Sequence, residues 1–419
     1  MPACSRTPFT VNHRTYTPPG RPAVAICLDG SADEYLDAAM VRGRMPHLAR
    51  MSSHGWRGFA RGAMPSFTNV NNTSIVTGVP PSVHGIGGNF FYDAARDAEV
   101  MMNSASFLRA DTLFPAAQHA GRRVAVVTAK EKLRDIFAHG LIAEGGIAFS
   151  SEKAGQARPE THGIGDVEGL VGETPAIYSG EASLYVLRAG VRLLAAGRAD
   201  LLYLSTTDYM QHKYAPEDPE VLAFYAAIDE ELGALLANDA IVALTADHGM
   251  NAKQLPDGSP NVVYLESELT AHFGPGFRVI LPITDPYVVH HGALGSFAQV
   301  HLPPNTSAER TVEIHGWLQA REGITEVHPR AVAARLMELP ADRIGDLVVC
   351  AGRHVVLGRT PAHHDLKALE GGLRSHGGRY EEMVPLVLSE PLTARHRALA
   401  QGDPRNFDLF DFLLNGTAG

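Results

Sequence analysis

Four short apolar runs punctuate the chain: AVAICLD at 23–29, RVAVVTAK at 123–130, LLYLSTTD at 201–208 and IVALTAD at 241–247. Each ends in polar residues and is followed by a helical pattern. Uninterrupted apolar strands of this kind are buried on both faces, which predicts an α/β fold with a mainly parallel central sheet flanked by helices. One of those helices is legible in PEVLAFYAAIDEELGALLAN. There Val221, Leu222, Phe224, Tyr225, Ile228, Leu232, Leu235 and Leu236 keep helical spacing between a starting Pro219 and a stopping Asn238. Beyond Asn251 the alternation fades into Gly-, Pro- and His-rich segments, and an apolar strand returns after Pro385. The change of texture predicts a smaller α+β cap at 255–370, inserted into a core made of 1–254 and 371–419.

Length and composition narrow the class. The chain has 419 residues, 45% of them hydrophobic and 20% charged, enough for a large core and more than one minimal domain. A net charge of −10 argues against a sequence-independent nucleic-acid binder, while leaving room for a small anionic substrate in a locally positive site. The opening MPACSRTPFTVNHRTYTPPG lacks the apolar core of a secretory signal and no later run has the length of a membrane span, so the expectation is a soluble, cytoplasmic protein without a membrane partner. A homodimer stays open. Cys4, Cys27 and Cys350 show neither metal spacing nor even pairing, and Cys27 reads as a core residue. With 20 histidines present, any metal is expected to be held by His and Asp.

In open parallel sheets ligands bind beyond the carboxyl ends of the strands, and those positions read Asp29, Lys130, Asp208 and Asp247-His248. Any one aspartate after a strand is a common turn former. Three of them at one edge repel each other unless a cation neutralises them. Asp208 and His212, four apart, share a face if the segment turns helically. Asp247 and His248 suit a strand-end turn around a second ion, and His376 is followed by two glycines that let backbone approach closely. Asn69 to Thr77 reads as a helix stopped by Gly78, which puts Thr68 at its N-terminus. Thr68 is then either an ordinary N-cap or a nucleophile whose alkoxide and phosphoryl adduct the helix end would stabilise.

Taken in order, CLDG, SFTN, TTDYMQH, TADHGM and SHGG resemble the alkaline phosphatase superfamily, in particular its nucleotide pyrophosphatase/phosphodiesterase-like branch. Within that branch MPSFTNVNNTSIVTG, GGNFFYD and VVTAKEKL are similar to the phosphonoacetate hydrolases. The resemblance implies an alkaline phosphatase-like core and two Zn²⁺ ions per chain, one held by Asp208, His212 and His376, the other by Asp29, Asp247 and His248 with Thr68. It further implies that Thr68 is the nucleophile, that Asn89 bonds a phosphoryl oxygen, and that Lys130 and Lys132 hold the substrate carboxylate. The implied reaction is cleavage of the P–C bond of phosphonoacetate to acetate and phosphate through a phosphothreonine. The alternatives are a phosphodiesterase or nucleotide pyrophosphatase with the same metals, a phosphomutase, or a metal-binding protein without catalysis. A sulfatase is disfavoured because PSFTN lacks a Cys-x-Pro-x-Arg motif. His84 and His162 each precede Gly and read as turn residues, with His162 within possible reach of the cleft. His290-His291 and His363-His364 read as loop or surface residues.

Overall fold

The structure, a computed structural model, describes residues 4–283, 293–369 and 372–417. A seven-stranded sheet runs in the order Trp56–Arg61, Met383–Leu388, Ile241–Thr245, Ala23–Cys27, Leu201–Ser205, Val124–Thr128, Ile147–Ser150. Met383–Leu388 pairs antiparallel with both neighbours and the remaining pairings are parallel, so one strand opposes the common direction. The four apolar runs supply four adjacent members of this sheet. Both faces are covered: along Ala23–Cys27, Val24 and Ile26 enter one apolar cluster while Ala23, Ala25 and Cys27 enter another. The returning strand begins two residues before Pro385 rather than after it. Pro385 lies one residue past the ladder with Ile241–Thr245, where a missing N–H is tolerated, and its carbonyl accepts the Thr245 hydroxyl at 2.8 Å.

The helix read from periodicity spans Pro219–Ala237, with Asn238 at its C-cap. Its buried face contains one residue that the apolar pattern does not announce. Asp229 points to the start of the helix Pro46–His54 and accepts the backbone N–H of His47 at 2.9 Å and of Leu48 at 2.8 Å, satisfying two donors that a helix leaves unpaired.

A second, four-stranded antiparallel sheet is ordered Arg278–Ile280, Phe297–His301, Leu347–Ala351, Ile324–Pro329. Helices Leu265–Phe273, Ala308–Gln319 and Arg330–Leu336 accompany it, and it has its own apolar cluster. That cluster also takes in Met64, Phe67 and Val70, so the second sheet packs directly against the segment that carries Thr68. No helix among the described residues is long and apolar enough to cross a membrane.

Asp229→Ala removes two charge-assisted bonds at a helix start and is expected to cost about 1–3 kcal/mol in denaturant unfolding. Because Asp229 serves the start of Pro46–His54, any activity of the folded fraction should stay at the wild-type level.

Candidate active site at the strand ends

The carboxyl ends of three adjacent strands, Ala23–Cys27, Leu201–Ser205 and Ile241–Thr245, bring Asp29, Asp208 and Asp247 together as the strand-end pattern predicts, all three buried. The segment after Asp208 does turn helically, as Tyr209–Lys213, and His212 Nε2 lies 2.9 Å from Asp208 Oδ2. His376 Nε2 is 3.6 Å from the same oxygen. His248 Nε2 is 3.3 Å from Asp29 Oδ1 and 3.7 Å from Asp247 Oδ2. Two candidate metal-ligating groups result, Asp208 with His212 and His376, and Asp29 with Asp208 and His248, the ligand atoms of each lying within 4.8 Å of one another. Asp247 stands at the side of the second group. Its Oδ1 accepts the N–H of Gly30 at 3.1 Å and of His248 at 3.0 Å, and its Oδ2 accepts Asn72 Nδ2 at 3.0 Å.

Thr68 is the first residue of the helix Thr68–Thr77, with Phe67 rather than Thr68 in the N-cap position and Gly78 left-handed at the C-cap (φ 68°). Its hydroxyl therefore makes no capping bond, and Oγ1 sits 3.3 Å from His248 Nε2. Every residue of this helix is buried although six of the ten are Asn, Ser or Thr other than Thr68. Most of them are held by bonds such as those of Asn72, whose Nδ2 reaches the Thr68 carbonyl at 3.2 Å while its Oδ1 accepts Tyr203 at 2.6 Å and Ser205 at 2.8 Å. Asn72 thus joins the helix of the candidate nucleophile to Asp247. Its signal in the sequence is a position four residues after Thr68, on the same helix face.

The three histidines share one arrangement. His212 Nδ1 meets the Arg374 carbonyl at 2.8 Å, His248 Nδ1 the Gly249 carbonyl at 2.9 Å, and His376 Nδ1 the Ser66 carbonyl at 2.8 Å. Only a donor can face a carbonyl, so each ring carries a proton on Nδ1 and turns Nε2 toward the aspartates, the orientation a metal-ligating imidazole needs. Asp29 is the complementary half. It is wholly buried, and neither carboxylate oxygen has a hydrogen-bond donor. Burial first, then Asp208 and Asp247, push its pKa well above the carboxylate range. Burial acts the same way on Asp208 but is overcome by His212 and Lys130, which hold it well below that range. Burial would lower His248, yet the nearby carboxylates of Asp247 and Asp29 raise it to about 10, so a cation held at Nε2 would displace a proton there. Such residues fit divalent cations: buried carboxylates facing the Nε2 atoms of oriented imidazoles are a donor set of the His/Asp type.

Lys130 and Lys132 line the same cleft as Thr68, Asn89, Asp208, His212 and His376. Lys130 Nζ is 3.6 Å from Asp208 Oδ1, so part of its charge is already committed to that carboxylate. Lys132 is pulled down to about 7 by burial and then by the neighbouring Lys130. Asn89 turns a buried Oδ1 without a hydrogen-bond partner into the interior, and its backbone N–H is fixed on the Pro282 carbonyl at 2.7 Å. The other histidines separate from the site. His84 bonds Ser74 Oγ at 2.8 Å and accepts the Ile86 N–H at 3.1 Å, shaping its turn as expected. His162 pairs with Glu131 at 3.9 Å and is not among the residues lining the cleft. His363 is exposed; His364 lies in a loop, one of the two readings given for it, but is buried and not at the surface, and it accepts the Arg359 N–H at 3.0 Å. His290 and His291 lie outside the described residues.

A parallel-sheet core with buried Asp and His ligands and a helix-borne threonine at the strand ends defines an alkaline phosphatase-like hydrolase. Residues 23–378 match the family model described as type I phosphodiesterase / nucleotide pyrophosphatase. The chain belongs to that family, within the alkaline phosphatase superfamily. Among solved structures, the phosphonoacetate hydrolase of Sinorhizobium meliloti 1021 in complex with phosphonoacetate superposes with a TM-score of 0.92 at 46% identity, over 99% of this chain and 100% of that one. The same enzyme in complex with phosphonoformate gives 0.92 at 47% identity over the same shares. A murine ectonucleotide pyrophosphatase/phosphodiesterase 5 shares the fold, with a TM-score of 0.60 at 17% identity over 95% of this chain and 96% of that one.

Gly377 tests how tightly the site is built. It has φ 112°, and a Cβ there would lie 2.3 Å from the Phe67 ring, between His376 and the start of the Thr68 helix. Gly377→Ala is expected to displace Phe67 or His376 and lower the hydrolytic rate on the order of 10²-fold, as small misplacements of reacting groups do. A wild-type rate in this variant would contradict the packing described.

Proposed function

We propose that the chain is a phosphonoacetate hydrolase that cleaves the P–C bond to give acetate and phosphate. The observation that carries this reading is the pair Lys130 and Lys132 in the cleft that also holds Thr68, in a chain 46% identical over nearly its whole length to an enzyme of that name. In this reading residues 255–370 form a cap inserted in a core of 1–254 and 371–419.

Two zinc ions would be held by Asp208, His212 and His376 and by Asp29, Asp247 and His248 with Thr68. When bound they supply positive charge that offsets the three carboxylates, attracts an anionic phosphoryl group and favours an ionised oxygen nucleophile. The chain's own groups do the rest. The Asn89 side chain orients a phosphoryl oxygen, and the ammonium groups of Lys130 and Lys132 hold the carboxylate. Thr68 Oγ1 attacks phosphorus in line, forming a P–O bond as the P–C bond breaks. Carbon is a poor leaving group, but here the electron pair passes into the adjacent carboxylate as an enediolate, where the two lysines stabilise the charge as it develops. Protonation at carbon gives acetate. Water then hydrolyses the phosphothreonine, which releases phosphate and restores the Thr68 hydroxyl.

Phosphate release from phosphonoacetate, phosphonoacetaldehyde, 2-aminoethylphosphonate and a bis-aryl phosphate, run side by side, is expected to favour phosphonoacetate. Preference for the diester would support a phosphodiesterase with the same core. Lys130→Ala and Lys132→Ala are expected to lower kcat/KM for phosphonoacetate by roughly 10²–10³-fold. Turnover of an activated phosphate monoester, which has no carboxylate to hold, should fall far less. Equal losses on both substrates would contradict the role given to the lysines.

A further inference from the structure

The rings of His248 and His376 are stacked, with centroids 3.5 Å apart and planes 6° apart, although the first belongs to the candidate group with Asp29 and the second to the group with His212. Their spacing therefore sets the spacing of the two ligand groups. The two loops that carry them are joined twice. Just past His248 the strand Asn251–Ala252 pairs antiparallel with Arg374–Ser375, which immediately precedes His376. Beyond this short ladder, Lys253 and Glu381 form an ion pair with 0% side-chain exposure on either partner.

The bonds of Glu381 lead back to the two loops. Lys253 Nζ donates to Glu381 Oε1 at 2.8 Å, and the same oxygen accepts Asn251 Nδ2 at 2.6 Å. Glu381 Oε2 accepts the N–H of Gly378, two residues after His376, at 3.0 Å. The Glu381 carbonyl accepts the N–H of Gly249, the residue after His248, at 2.8 Å. A second bond of Lys253 Nζ, at 2.7 Å, goes to the carbonyl of Arg353, which follows the strand Leu347–Ala351 of the four-stranded sheet. A wholly buried ion pair contributes little net stability compared with apolar residues of the same volume, because both charges leave water. What this one supplies is direction and distance, with both oxygens of the Glu381 carboxylate assigned to named donors.

We propose that Lys253 and Glu381 are positioning residues for the metal centre, holding the His248 and His376 loops in register and tying that register to the four-stranded sheet through Arg353. This rests on the two-ion reading given above. Neither residue lines the cleft, so they act through the histidines and not on the substrate.

The deciding variant is Lys253→Met/Glu381→Leu, which replaces the pair with apolar side chains and leaves no stranded charge. Chelator-stripped protein is titrated with Zn²⁺ against a competing chromophoric chelator, and folding is followed by thermal melting. Both zinc dissociation constants are expected to rise about ten- to a hundredfold, the usual effect of losing an outer partner of a ligand. kcat for an activated phosphate ester should fall with KM little changed, since binding groups are untouched. Asn251→Ala, which removes one bond to Glu381 without stranding a charge, is the milder variant and should shift both constants in the same direction by less. Wild-type zinc affinities in the folded variants would overturn the proposal and leave the two-ion reading standing. Wild-type protein that takes up fewer than two zinc ions per chain would overturn both.

Discussion

Three carboxylates buried at one edge of a sheet are the constraint around which the molecule is arranged. Asp29, Asp208 and Asp247 follow three adjacent strands, and the parallel register of those strands forces them together whatever else the chain does. Their mutual repulsion in a low-dielectric interior is severe, and the surroundings answer it unevenly. Asp208 is countered by Lys130 and His212, and Asp247 is held by two backbone N–H groups and Asn72. Asp29 alone has no donor on either oxygen. The imbalance gives the site its chemical direction: it is built to take positive charge at Asp29, next to His248 and within reach of Thr68.

Second-layer groups turn that charge demand into a defined geometry. Three carbonyls, from Ser66, Gly249 and Arg374, fix the tautomer of all three histidines without using any charged partner. Asn72 performs a similar task for Asp247 while bonding the Thr68 carbonyl, so ligand and candidate nucleophile share one support. The uniformly buried helix Thr68–Thr77 is possible because most of its polar side chains, Asn71, Ser74 and Thr77 among them, bond to neighbouring backbone. The second sheet packs on Phe67 at the start of this helix, and Phe67 lies against Gly377, so that sheet, the Thr68 helix and the His376 loop are mechanically joined.

Strand positions were legible in the sequence because a two-face-buried strand has to be apolar throughout, and the four runs carried both the sheet and the residues at its ends. Thr68 was legible for a different reason: Gly78 marks the helix stop, and counting back gives the start. What escaped are residues whose role depends on partners distant in the chain. Asp229 hides in the middle of an amphipathic helix, and its purpose appears only where Pro46–His54 begins. Nothing in the sequence around Lys253 and Glu381 announces a partner, yet both are buried. His364 differs from these: it is buried and its partner is close in the chain, the Arg359 backbone N–H. The placement of Pro385 inside its strand followed from where a neighbouring ladder ends, which no single-segment pattern contains.

The central claim is that the strand-end cluster is a two-ion centre serving Thr68. Anomalous difference maps from crystals of the protein, recorded on either side of the zinc absorption edge, test it most directly. Two peaks are predicted, one among Asp208, His212 and His376 and one among Asp29, Asp247, His248 and Thr68. Maps with no peak in this cluster, or with a single peak that leaves Asp29 without a partner, would contradict the account.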